Sequence, residues 1–239
     1  MEQARTVVQN RLKEVLKYGQ SIWYDGLISR LEFEKMIRED GIRGATTNPT
    51  IFEKALNHHD YDSDIMALSK TRSTEGIYQA LAVRAVQQVA DVFMPVFEAA
   101  NGHDGFVSIE VSPLLAFDTE STVREAKELY RLVNRKNTMI KIPATTQGIP
   151  AVRAVIAEGI AVNVTLIFSL ERYEAVMEAY LAGLEQRMSV GNPVASVASV
   201  ASFFVSRVDS AVDKILEQKM SSDKDPEKNK KLKKLMGKA

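Results

Sequence analysis

Six short runs of apolar and β-branched residues alternate with longer segments whose apolar residues recur at helical spacing. This alternation limits the chain to few folds. The runs lie at 22–25, 42–47, 106–112, 138–143, 160–168 and 197–205. The fifth, IAVNVTLIF, is near-continuously apolar, as a strand buried on both faces must be. Short buried strands joined by helices assemble into a parallel sheet, so the class is α/β. A closed (β/α)8 barrel and an open doubly wound sheet both satisfy the alternation. No Gly-x-Gly-x-x-Gly or phosphate-binding P-loop follows any run, which weakens the nucleotide-binding version.

The connecting segments carry their own signals. Val7, Val8, Leu12, Val15 and Leu16 predict an amphipathic helix over about residues 3–18. Ser29 with Glu32 reads as a capping box for a helix to about Arg38, ended by Asp40-Gly41. Asn48-Pro49 closes the second strand. Residues 50–102 form the longest stretch without a strand, read as two short helices broken around His58–Asp60 and a long helix kinked at Pro95. Further helices are predicted over 119–136, over 147–158 before Gly159, from the Ser169 cap to about Met188, and from about Arg207. The lysine-rich segment 219–239 reads as a solvated helix or frayed end.

The chemistry-bearing residues sit at strand ends. Asp25 ends the first strand, and Thr46, Thr47 and Asn48 end the second. Glu110 lies on the third, Lys141 on the fourth, Asn163 and Thr165 on the fifth, and Ser202 on the sixth, with Ser206 and Arg207 beyond. Taken singly, each has an ordinary turn or capping explanation; six consecutive strands with such an end make a site. Lys141 stands out because TMIKIP is otherwise apolar or β-favouring. A lysine there must be paired, neutral or snorkelling to solvent. Desolvation disfavours an ammonium, and a neutral amine is a nucleophile. Carboxylates, a lysine and small hydroxyls around one centre make an acid/base site with a covalent nucleophile.

Composition narrows the alternatives. The chain has no cysteine, which removes disulfides, thiolate chemistry and cysteine-ligated metals. Formal net charge is zero, so no global field points to nucleic acid or an anionic membrane. The N-terminal segment is polar and unlike a signal peptide, and no apolar run is read as a membrane span. Adjacent His58 and His59 diverge, and His103 sits in a glycine-rich turn, so surface roles are expected for all three and no metal site.

Four segments together resemble the transaldolase family: GATTNPTIF (44–52), IKIPATTQGIPA (140–151), NVTLIFS (163–169) and SFFVSRVD (202–209). The form of WYDGLISR and the long segment after the second strand resemble the longer bacterial and plastid-type members. The resemblance implies a (β/α)8 TIM-barrel-type fold, here with about six β/α units, as one domain over 1–239. It implies transfer of a dihydroxyacetone unit in the non-oxidative pentose phosphate pathway. Donors would be sedoheptulose 7-phosphate or fructose 6-phosphate; acceptors would be erythrose 4-phosphate or glyceraldehyde 3-phosphate. By motif, Lys141 is the Schiff-base lysine and Asp25 the acid/base at the donor C4 hydroxyl. Glu110 and Thr165 work through a water in carbinolamine dehydration. Thr46, Asn48, Asn163 and Ser202 hold the sugar, and Arg207 is one arginine of the phosphate site. No cofactor is implied, since an iminium is itself the electron sink. The partners implied are sugar phosphates, with neither nucleic acid nor membrane; a homo-oligomer is left open. The compartment implied is the cytoplasm, or a plastid after loss of a transit peptide.

The chain departs from the resemblance at its end. The family has eight strands, and strands seven and eight, with a second phosphate-binding arginine and a serine, have no counterpart here. The expectation is a fragment of a longer protein, with two open sheet edges and impaired activity. Two rival readings are a fructose-6-phosphate-type aldolase that cleaves without transfer, and a non-catalytic sugar-phosphate-binding or interaction module.

Overall fold

A computed structural model of the chain describes residues 10–56, 61–223 and 225–239. Its centre is one six-stranded, wholly parallel sheet in the order β1 to β6. The strands are β1 (Trp23–Asp25), β2 (Gly44–Thr46), β3 (Val107–Glu110), β4 (Thr138–Pro143), β5 (Val162–Ile167) and β6 (Ser199–Phe203). The sheet is curled and its strand order follows chain order, so this is a TIM-barrel-like α/β fold of about six β/α units. β1 and β6 are its two edges.

The helices are α1 (Arg11–Glu14), α2 (Arg30–Asp40), α3 (Pro49–Leu56), α4 (Asp62–Leu68), α5 (Thr74–Ala99), α6 (Thr119–Val133), α7 (Gly148–Ala157), α8 (Leu170–Ser189), α9 (Val205–Ser222) and α10 (Pro226–Lys233). Their starts follow the chain's own caps. Ser29 and Glu32 form the reciprocal capping box of α2, and Ser169 accepts from the Arg172 N–H at the start of α8. Gly41, with φ +72°, closes α2. The N-terminal helix is shorter than its pattern predicts: α1 gives way to a 3-10 turn over Val15–Tyr18 ended by Gly19. Residues 3–9 lie outside the described residues, as do His58 and His59 at the predicted break between α3 and α4. Pro95 lies inside α5. The lysine-rich end forms exposed α10.

By length and composition alone α5 passes the test for a bilayer span, a test that a buried core helix also passes. Its apolar residues instead lie in the protein core: Val86, Ala90 and Phe93 are fully buried, and Phe93 meets Phe33 of α2 edge-on at 5.5 Å. The main core lies between strands and helices. Ile140, Ile142, Val162, Val164 and Ile167 meet Val152, Val155 and Ile156 of α7 and Ala126, Leu129 and Val133 of α6. A smaller cluster of Phe106, Met139 and Ala161 covers the start of the strands.

Two glycines permit close approaches. A Cβ on Gly148 would lie 1.9 Å from the Pro143 carbonyl oxygen, so only glycine lets α7 begin directly against the end of β4. Gly105 combines φ +81° with backbone of Phe97 2.3 Å from where a Cβ would stand, and this seats β3 under the end of α5.

Candidate active site

Alternation along β4 decides what Lys141 faces. Ile140 and Ile142 point into the helix-side core, so Met139, Lys141 and Pro143 share the opposite face. All six residues of β4 are buried, and Lys141 is 6 % exposed. The parallel register sets Glu110, Lys141 and Asn163 side by side on β3, β4 and β5. One apolar strand thus carries its charge next to a carboxylate on one side and an amide on the other. The lysine is paired and does not snorkel: Nζ lies 3.5 Å from Glu110 Oε2 and donates to the Thr47 carbonyl at 3.2 Å. Burial holds the Glu110 carboxyl above the usual carboxylate range. The Lys141 ammonium pulls it back down, and the Asp25 carboxylate pushes it up.

The other side of Lys141 is a buried polar relay. The Asn163 amide, 0 % exposed, donates to Ser108 Oγ at 3.1 Å, and its Oδ1 accepts from Ser202 Oγ at 2.8 Å. Two residues along β5, Thr165 is 1 % exposed with its Oγ1 unpartnered. A hydroxyl in that position calls for a partner from solvent or ligand. Just beyond, the pairing of β5 with β6 shifts register between Val164 and Ile167, and Leu166 takes φ +61°. This bulge turns Leu166 out to the rim, where it is partly exposed.

Asp25, the exposed last residue of β1, accepts from Thr46 Oγ1 at 2.7 Å across the register pair Asp25 and Thr46. Asn48 caps α3: its Oδ1 accepts from the Ile51 N–H at 3.0 Å, which leaves its amide group for a ligand. Arg207 is exposed in the first turn of α9, with Cζ 4.4 Å above the Phe204 ring. A single cavity of about 740 Å3 collects Asp25, Thr46, Asn48, Glu110, Lys141, Thr165, Ser202 and Arg207. Of the strand-end residues singled out from sequence, Thr47, Asn163 and Ser206 are not in its wall; Asn163 is buried beneath, bonded to Ser202. The exposed His103 is not in that wall.

Sequence reasoning missed several contributors. Thr47 is singled out from sequence for its side chain, but it is its backbone carbonyl that holds Lys141; Ser108, which holds Asn163, is not singled out. Ser108 stands two residues before Glu110 on the same strand, so period-two alternation could have found it. Lys54 of α3 also lines the cavity, without any signal in the sequence pattern.

Residues 22–236 match the protein-family model described as transaldolase/fructose-6-phosphate aldolase. The chain belongs to this family. It is 46% identical over 238 residues to a transaldolase of Trichodesmium erythraeum, covering 97% of this chain and 63% of that protein. It is 50% identical over 214 residues to a transaldolase of Saccharopolyspora erythraea, covering 87% of this chain and 58% of that one. It is 46% identical over 218 residues to the transaldolase 2 of a Nostoc species, covering 89% and 57% respectively. The chain therefore spans about three fifths of the length of the curated relatives it matches. Most of the wall of the 740 Å3 cavity comes from 44–52, 140–151, 163–169 and 202–209, and all of it from the matched residues 22–236.

Proposed function

We propose that this chain carries the Schiff-base centre of a transaldolase, moving a dihydroxyacetone unit from a ketose phosphate to an aldose phosphate in the non-oxidative pentose phosphate pathway. The observation that carries the reading is the buried Lys141–Glu110 pair at the wall of an open cavity. An amine attacks a ketone only when unprotonated, and a carbinolamine loses water only with an acid at hand. Glu110, raised by burial and 3.5 Å from Nζ, suits both proton transfers.

The steps follow. Lys141 Nζ adds to the donor C2 carbonyl, and the carbinolamine expels water, with Glu110 and a water on Thr165 Oγ1 supplying the proton. Asp25 takes the proton of the C4 hydroxyl as the C3–C4 bond breaks. The bond's electrons pass into the iminium, giving an enamine on Lys141 and a free aldose phosphate. C3 of the enamine then attacks the acceptor aldehyde, forming a new C–C bond as Asp25 returns its proton, and water releases the new ketose. Thr46, Asn48, Asn163 and Ser202 orient the sugar hydroxyls directly or through one another. Arg207 takes the phosphate, for which a planar guanidinium is suited. The domain is read as a six-unit portion of a (β/α)8 barrel and its compartment as the cytoplasm.

Borohydride reduction in the presence of fructose 6-phosphate tests this reading. It should fix a three-carbon unit on Lys141 and nowhere else; an adduct on another lysine would sink the assignment. Asp25→Ala should still trap the imine but fail at cleavage, whereas Glu110→Ala should slow trapping itself. Turnover that rises with added erythrose 4-phosphate supports transfer over simple aldol cleavage.

A further inference from the structure

Beside the cavity, the ends of β5 and β6 and the start of α9 bring two aromatic rings and one guanidinium into a stack. Phe168, directly after β5, lies with its ring centroid 5.5 Å from that of Phe204 and the planes 28° apart. Phe204 is the N-cap position of α9 and carries Arg207 on its ring, 4.4 Å from centroid to Cζ. The backbone ties the layers together, since the Phe204 N–H donates to the Ile167 carbonyl at 2.9 Å. Arg207 forms no ion pair among the described residues, and α9 has no acidic residue in its first turn. Aromatic contact is therefore the restraint on the guanidinium that the structure does show.

We propose that Phe168 and Phe204 are positioning residues, a two-ring shelf that preorganises Arg207 for the phosphate of the sugar substrate. This rests on the phosphate role given to Arg207 above. An exposed arginine has several rotatable bonds, and ordering them on binding costs affinity. A ring face holds a guanidinium flat against it by cation–π attraction, which leaves the in-plane N–H donors free for an anion. Phe204 lines the cavity and could touch substrate itself. Phe168, 46 % exposed, is not in the cavity wall and acts only by supporting Phe204. The effect of Phe168 is thus confined to ligands that carry a phosphate.

The test uses the chain as it is and two ligands. Fructose 6-phosphate binding is titrated calorimetrically, and trapping of dihydroxyacetone on Lys141 by borohydride serves as the phosphate-free reference. Phe168→Leu keeps an apolar side chain and removes the ring face. It should weaken fructose 6-phosphate binding roughly twofold and by no more than about fivefold, the full scale of the exposed Phe204–Arg207 cation–π contact it supports, and leave dihydroxyacetone trapping unchanged. Phe168→Tyr should restore the parent affinity. Phe204→Leu should weaken binding at least as much, and Arg207→Ala more, by roughly tenfold or above. If Arg207→Ala binds as the parent does, the phosphate role of Arg207 falls and the shelf with it. If Arg207→Ala weakens binding while Phe168→Leu does not, the shelf alone is overturned. Equal losses for both ligands in Phe168→Leu would mark a merely structural residue and also overturn it.

Discussion

The central strands and the edge strands treat their functional residues differently. β4 is buried over its whole length, and β5 is buried except at Leu166; β1 and β6 are only partly covered. On the central strands Lys141, Glu110 and Asn163 each have partners fixed by register and burial. On the edges, Asp25 has one hydroxyl partner and Arg207 rests on a ring. A strand with neighbours on both sides fixes its side chains through the packing that makes the sheet. A strand with one neighbour leaves orientation to local contacts. In the proposed mechanism the covalent step therefore falls in the core, while proton handling at C4 and phosphate capture fall on the less constrained rim.

Removing the proposed nucleophile tests the central half of this contrast most severely. Lys141→Ala should abolish imine trapping and lower any turnover by a factor on the order of 10^4 or more, with the fold retained by circular dichroism. Residual trapping at the parent rate would show that the buried amine is not the reacting group.

Much of the central half is legible in the sequence. Thr138–Pro143 is a strand to the residue because five apolar or β-favouring positions surround one lysine and Pro143 closes the run. Parallel pairing then makes the row of Glu110, Lys141 and Asn163 a consequence of matching strand ends. The edge half is less legible. β6 is read as 197–205 but pairs only over Ser199–Phe203, because α9 begins at Val205. The left-handed Leu166 leaves no mark, since a bulge depends on the neighbouring strand. Nor does the stack of Phe168, Phe204 and Arg207, which joins side chains across two loops.

The next effect is on stability. Glu110→Ala strands the Lys141 ammonium beside a single carbonyl, in a site where both side chains are mostly buried. Breaking a buried pair on one side costs about 3 kcal/mol, or roughly 6–12 °C in a chain of this size. Adding Lys141→Met should recover most of that loss, because the stranded charge is gone. If the double variant melts no higher than Glu110→Ala, the cost lies in packing and not in charge. Asp25→Ala, on the exposed edge, should change stability by no more than about 0.5 kcal/mol.

The relay beneath the cavity comes next. Asn163→Ala leaves Ser108 Oγ and Ser202 Oγ without a shared partner in a buried place, a loss of about 1–3 kcal/mol. Ser202→Ala, on the partly covered edge strand, should cost less, about 0.5–1.5 kcal/mol. Equal costs by chemical denaturation would remove the distinction between central and edge strands at this point.

The smallest effect separates burial from pairing. Glu125 of α6 accepts from the Ser112 N–H at 2.9 Å, and burial is the main cause that raises its carboxyl above the ordinary value. Unlike Glu110, it has no lysine beside it to pull it back. A carboxyl raised on folding binds its proton more tightly in the native state than in the unfolded one. Stability therefore falls as pH rises from the ordinary carboxylate value through the raised one, and stays lower above it. Glu125→Gln removes that dependence and can keep the bond from Ser112 through its amide oxygen. At pH 4 and below, the variant and the parent should melt together. Near pH 7 the variant should be more stable, by less than about 1 kcal/mol because the group is only half-buried and solvent screens it. That is an upward shift of about 2–3 °C at most. A variant less stable than the parent at neutral pH would mean that the charged bond to Ser112 outweighs desolvation, and that burial without a cation is no liability at this position.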